Sequence, residues 1–61
     1  MTAAEAVGRN LGEVCKKGKV PKKDLDKWAD WWYDGMRLQF IAIPSRPIFR
    51  EYVKTGYAEA K

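Results

Sequence analysis

The sequence contains no histidine and only one cysteine, Cys15. A single thiol rules out an intramolecular disulfide, and without histidine it cannot build a structural zinc site. Neither a Walker loop nor a dinucleotide-type glycine pattern is present: Gly8-Arg9-Asn10-Leu11-Gly12 follows no strand. The longest apolar run, Phe40-Ile41-Ala42-Ile43, is far too short to span a bilayer. The opening Met-Thr-Ala-Ala-Glu has neither the basic nor the apolar region of a secretory signal. These absences predict a chain without catalytic machinery, metal or cofactor, in a reduced, cytoplasmic setting.

What is present is apolar enough to fold. Hydrophobic residues make up 46% and aromatics 13% of 61 residues, which suits one small globular domain near the lower size limit for independent folding. The net charge of +4 is unevenly placed. Residues 16–23, KKGKVPKK, carry five lysines, whereas residues 24–34 carry four aspartates and one lysine. The chain therefore has a lysine knot beside an acidic face, and its last third is mildly basic.

The apolar spacing predicts an all-α fold of three helices, over about residues 3–17, 22–40 and 46–55. Thr2-Ala3-Ala4-Glu5 fits a capping box. Ala3, Val7, Leu11 and Val14 follow it as one stripe. Gly18 is the expected left-handed residue after the last turn, behind Lys16 and Lys17. Gly8 and Gly12, four apart, each weaken a helix by about 1 kcal/mol relative to alanine, a cost that suggests close approach of another backbone. Pro21 opens the second helix. Asp34-Gly35 could end it and leave Met36–Ile43 as a strand, but a lone strand has nothing to pair with, so continuation to about residue 40 is favoured. Pro44-Ser45-Arg46-Pro47 is a turn with Ser45 as N-cap. Ile48, Phe49, Tyr52 and Val53 then form the inward face of a third helix, closed by Gly56 ahead of a frayed tail.

Four rings fall within six positions of KWADWWYDG, residues 27–35, including all three tryptophans. At about 100° per residue, Leu25, Trp28, Ala29, Trp32, Met36 and Phe40 share one apolar arc. With Val7, Leu11, Val14, Ile48, Phe49, Tyr52 and Val53 these residues are the expected core, Ala29 excepted. Tyr33 lies at the border of the arc, and Trp31 lies off it beside Leu38. Either the third helix covers Trp31 and Leu38, or they begin a second apolar face for a partner, where tryptophan is strongly enriched. Trp31, Tyr33 and Leu38 are the candidate partner-binding residues. Asp26, Asp30 and Asp34 step along one ridge, but helix-borne aspartates one turn apart lack the converging oxygens of a calcium loop. A solvated face neutralised by Lys23, Lys27 and Arg37 is expected there. Cys15 reads as a small core thiol despite the neighbouring lysines.

Lys16, Lys17, Lys19, Lys22 and Lys23 are candidate contacts to phosphate or acidic groups, set in a turn between two helices. The run LGEVCKKGKVPKKDLDKW, residues 11–28, resembles the excisionase-type winged helix: a Gly-Lys-x-Pro segment follows a recognition helix, and a Leu-x-x-Trp helix comes later. The resemblance covers about a third of the chain and lacks that family's first helix pair and basic wing. It implies a DNA-binding regulator that reads through its first helix. The acidic face of the second helix opposes this, and base-reading side chains are few: Arg9, Asn10, Arg37 and Gln39. Small size, surplus aromatics and segregated charge favour instead a non-enzymatic protein-binding module, such as an inhibitor, adaptor or accessory subunit. Its partner is expected to be a protein. Nucleic acid is the alternative, and oligomerisation is left open.

Overall fold

The computed structural model describes residues 3–39 and 43–60. They form helix α1 (Ala3–Lys17), a single 3-10 turn (Lys22–Asp24) leading straight into α2 (Leu25–Arg37), and α3 (Arg46–Glu59). There is no strand among the described residues, so the protein is an all-α, three-helix domain. Thr2 of the expected capping box and Phe40 of the expected core lie outside the described residues.

α1 ends in a Schellman turn. The Val20 amide donates to the Cys15 carbonyl (2.9 Å) and the Lys19 amide to the Lys16 carbonyl (3.1 Å). The left-handed residue is Lys19, at φ 61°, and not Gly18 as the sequence suggested. In this motif the left-handed position lies one residue before the amide that closes the longer ring, which here makes it Lys19. Ser45 occupies the N-cap of α3, and its carbonyl accepts the first helical bond, but its hydroxyl caps nothing.

α2 passes through Gly35 without a break and tightens only at its end, where the Leu38 and Gln39 amides donate to the Gly35 and Met36 carbonyls. α3 likewise runs through Gly56 to Glu59, four residues past the expected end. Gly56 is a helix-packing residue and not a stop. A Cβ at Gly56 would collide with the backbone of Arg9, and a Cβ at Gly12 would collide with the Val53 carbonyl and stand 2.5 Å from the Tyr57 amide nitrogen. A Cβ at Gly8 would stand 2.7 Å from the Tyr52 Cβ. The close approach expected of Gly8 and Gly12 is therefore made, by α3. Contacts advance along both chains together, so α3 runs in the same sense as α1.

This crossing sets which faces are buried. In α1 the buried stripe is Ala4, Gly8, Leu11, Gly12 and Cys15, turned toward the glycines. Val14 is consequently exposed, and Val7 only packs against the edge of the core. α3 buries Phe49, Val53 and Gly56, which leaves Ile48 about half exposed, one position off that face. α2 buries Leu25, Ala29, Tyr33 and Met36. Trp32 is 46% exposed and does not belong to the core, whereas Trp28 is partly buried against it. The rotation of α2 has a polar cause. Asp26 and Asp34 stay exposed, as a solvated face would, but the cations that neutralise the three aspartates come from α3 and not from within α2. The aspartates line the seam with α3, where Arg46 pairs with Asp34 (2.8 Å), Arg50 with Asp30 (2.6 Å) and Lys54, more loosely, with Asp26 (3.9 Å). The two sets share a spacing of four residues and run in opposite directions, so α2 and α3 pack antiparallel.

The glycines yield a stability test by thermal and urea melts. Gly12→Ala and Gly56→Ala force a side chain against backbone that cannot move aside, so each should lose most of the few kcal/mol, about 3–5, that a domain of this size holds. Gly35→Ala adds a methyl to open space and should stabilise by about 1 kcal/mol. Native melts for both Gly12→Ala and Gly56→Ala would refute the crossing.

Candidate functional site

With α3 seated on its aspartate ridge, α2 turns its other side outward. That side carries a groove of about 490 Å³ lined by Trp28, Trp31, Trp32, Gly35, Met36 and Gln39. The indoles of Trp28 and Trp31 pack tilted at 57° with centroids 5.7 Å apart, one helical turn along the same face. Trp31 is 67% exposed and Leu38, in the turn after α2, is 89% exposed. The third helix does not cover them, because its basic residues hold it on the opposite side. Gly35, which also lines the groove, is exposed and has nothing within 4 Å of where its Cβ would stand.

Tyr33 does not lie on this surface. It is buried, its ring 5.8 Å from that of Phe49, and its hydroxyl donates to the Pro44 carbonyl (2.7 Å). The Arg46 guanidinium stands 4.8 Å from the ring centre, stacking the ion-pair seam on the aromatic core. A side chain so enclosed anchors the turn before α3 and has no face free for a partner. Tyr33 and Trp32 have in effect exchanged the places expected of them. Trp28, Trp32 and Met36, expected in the core, and Gly35 are groove residues that the sequence pattern did not single out as a surface.

The lysine cluster is divided by the fold. Lys17 pairs with Glu13 along α1 (2.9 Å), and Lys19 is held in the Schellman turn. Lys16 lies over the Tyr57 ring, 4.9 Å from its centre. Lys22 joins Lys16 around a concavity that also takes in Lys54 and Thr55 of α3, while Lys23 is exposed outside it. Only Lys16 and Lys22 of the five are brought together, and Lys54, more than thirty residues on, completes the set. A further concavity, about 650 Å³, follows the α1–α3 seam past Arg9, Asn10 and Glu13, where Arg9 is already paired with Glu59 and Glu13 with Lys17.

Four ionisable groups among the described residues are shifted: the Asp30 carboxyl and its two partners, Arg46 and Arg50, whose guanidiniums are pushed up by hydrogen bonding to Asp34 and Asp30, and the Cys15 thiol. Hydrogen bonding to Arg50 holds the Asp30 carboxyl below its ordinary value of 3.8, with Arg46 adding to the effect. Burial pushes the Cys15 thiol up, which disfavours the thiolate. Among the described residues no group of three His, Cys, Asp or Glu side chains could hold a metal ion. No helix among them is long and apolar enough to cross a membrane.

Compared with known proteins, the chain matches no family model, no curated protein and no solved structure. The excisionase-type resemblance gains no support: the wing that family builds from strands has no counterpart among the described residues.

Asp30, with its lowered pKa, contributes stability that is present above the ordinary aspartate value and is lost as pH falls through the depressed one. Urea midpoints of wild type and Asp30→Asn should therefore differ at neutral pH and converge below pH 3.8. A gap that persists undiminished in acid would mean that the ion pair is not its source. Cys15 should resist a thiol reagent such as Ellman's in the folded protein and react at once in urea, and Cys15→Ala should cost about 1 kcal/mol. Rapid native labelling would show that the thiol is not enclosed.

Proposed function

We propose that this chain is a small non-enzymatic protein-binding module whose contact surface is the open face of α2. The observation that carries this reading is Gly35, an exposed glycine inside a helix that lines the same groove as three indoles. A glycine inside a helix costs about 1 kcal/mol relative to alanine. Gly8, Gly12 and Gly56 repay that cost in the crossing of α1 and α3. Gly35 has no neighbour to admit within the chain and no left-handed backbone to support. Its lack of a side chain lets an outside backbone or side chain approach α2 closely beside the tryptophans.

The flanking residues suit that role. Tryptophan is the residue most enriched at binding hot spots, and rings already packed on each other lose little freedom when a partner settles on them. Trp28 rests on the core and packs against Trp31, so the exposed indole has a support within the chain. An apolar helix face or loop from a protein partner would bury Trp31, Trp32 and Leu38 together. The recognition mode is the helix-in-groove type, in which apolar anchors give affinity and the polar rim gives orientation. An inhibitor, adaptor or accessory subunit would work this way.

The test immobilises the wild-type chain beside folded Trp31→Ala and Gly35→Ala variants and compares the proteins each retains from the native host, identified by mass spectrometry. A partner of the groove should bind Trp31→Ala about 30-fold more weakly, which corresponds to about 2 kcal/mol. Gly35→Ala should melt higher than wild type yet bind worse. Equal retention by all three would remove the groove from consideration as the contact surface.

A further inference from the structure

The concavity lined by Lys16, Lys22, Lys54, Thr55, Tyr57 and Ala58, about 380 Å³, shares no lining residue with the tryptophan groove. Its three ammonium-bearing side chains come from three different elements: the end of α1, the 3-10 turn and the second half of α3. No carboxylate is among the lining residues. We propose that this concavity is a phosphate site, and that its ligand is the phosphodiester backbone of a nucleic acid.

The frame of the site is fixed. The Tyr57 hydroxyl donates to the Val20 carbonyl (2.9 Å), which ties the end of α3 to the Schellman turn of α1. Lys16 is aligned over the Tyr57 ring. Lys54 reaches Asp26 at 3.9 Å and Glu51 at 4.0 Å, both at the outer limit of an ion pair, so its three N–H donors are not consumed. Lys22 has no ion-pair partner among the described residues. Three like charges around one concavity repel one another, and an anion placed among them relieves the repulsion. Phosphate oxygens can accept from all three ammoniums and from the Thr55 hydroxyl, which supplies a neutral donor of the kind common at backbone contacts.

A polymer fits better than a lone anion because the site does not end at its rim. Lys19 and Lys23 are exposed on either side of Lys22 in the chain and can meet the phosphates that flank the one held in the concavity. A lipid surface fits less well. Lys54 approaches α2 on its Asp26 side, whereas Trp31 lies on the other side of that helix, so a flat bilayer cannot engage the lysines and the indoles together.

The experiment measures anisotropy of a fluorescein-labelled 12-nucleotide DNA strand against salt, beside sedimentation with phosphatidylcholine–phosphatidylserine vesicles. The wild type should bind the strand with log Kd linear in log salt. Lys22→Gln/Lys54→Gln should weaken binding about tenfold at about 50 mM salt and lower the slope by about one, the signature of one lost phosphate contact. The charge-matched pair Lys27→Gln/Arg37→Gln should change it by less than about threefold. If the double variant melts abnormally, Lys22→Gln alone, which breaks no ion pair, should still weaken binding about threefold. Equal losses from both pairs would reduce the effect to net charge and overturn the site. So would absent strand binding, or retention by the vesicles alone.

Discussion

Gly12 and Gly56 lie together where α1 crosses α3, and each occupies a place that a methyl group could not share with the facing backbone. Close packing of this kind gains dispersion contacts along two backbones and requires no large side chain at the seam. That matters because, among the described residues, the fully buried large side chains are Phe49, Leu25 and Val53. With a single cysteine, and hence no internal disulfide, the chain relies on the pairing of α1 and α3 as the platform on which α2 is placed. The buried stripe of α1 follows its small residues for this reason, and Val14, the larger apolar residue nearby, is left outside.

The second determinant is polar. Three aspartates on α2 and three cations on α3, each set spaced one turn apart, meet in antiparallel register. Exposed ion pairs of this sort contribute little individually, and their effect here is on orientation. Facing the acids toward α3 rotates α2 so that Tyr33 enters the core, under Arg46 and against Phe49. The same rotation carries Trp31 and Trp32 out to solvent. The aromatic surface and the ion-pair seam are thus two consequences of one helix orientation.

Two surfaces result, and they differ in chemistry. The open side of α2 is rich in indole surface, with exposed Gly35 among the residues that line its groove. The end of the bundle near the Schellman turn gathers lysines from three elements around a concavity free of acids. Each is separated from the other by the body of α2, so the two can be perturbed independently.

Much of this could be read from the residues in order. Three helices, their order, the start and end of α1 and the close-approach role of Gly8 and Gly12 follow from periodicity and glycine spacing, which are local properties. The exposure of Trp31 and Leu38 was one of two outcomes that the pattern left open. The faces themselves were not legible, because a helical wheel ranks positions by hydrophobicity within one helix and has no knowledge of its neighbour. It placed Trp32 inside and Tyr33 at the edge, when Arg46, Arg50 and Lys54 reverse them from another helix. The spacing of four shared by Asp26, Asp30 and Asp34 with Arg46, Arg50 and Lys54 was a signal present in the sequence, though its meaning depends on the two helices meeting antiparallel. Lys54 joins Lys16 and Lys22 for a similar reason. Which charges become neighbours is decided by how the helices cross, and that crossing is set by the absence of a side chain at Gly12 and Gly56.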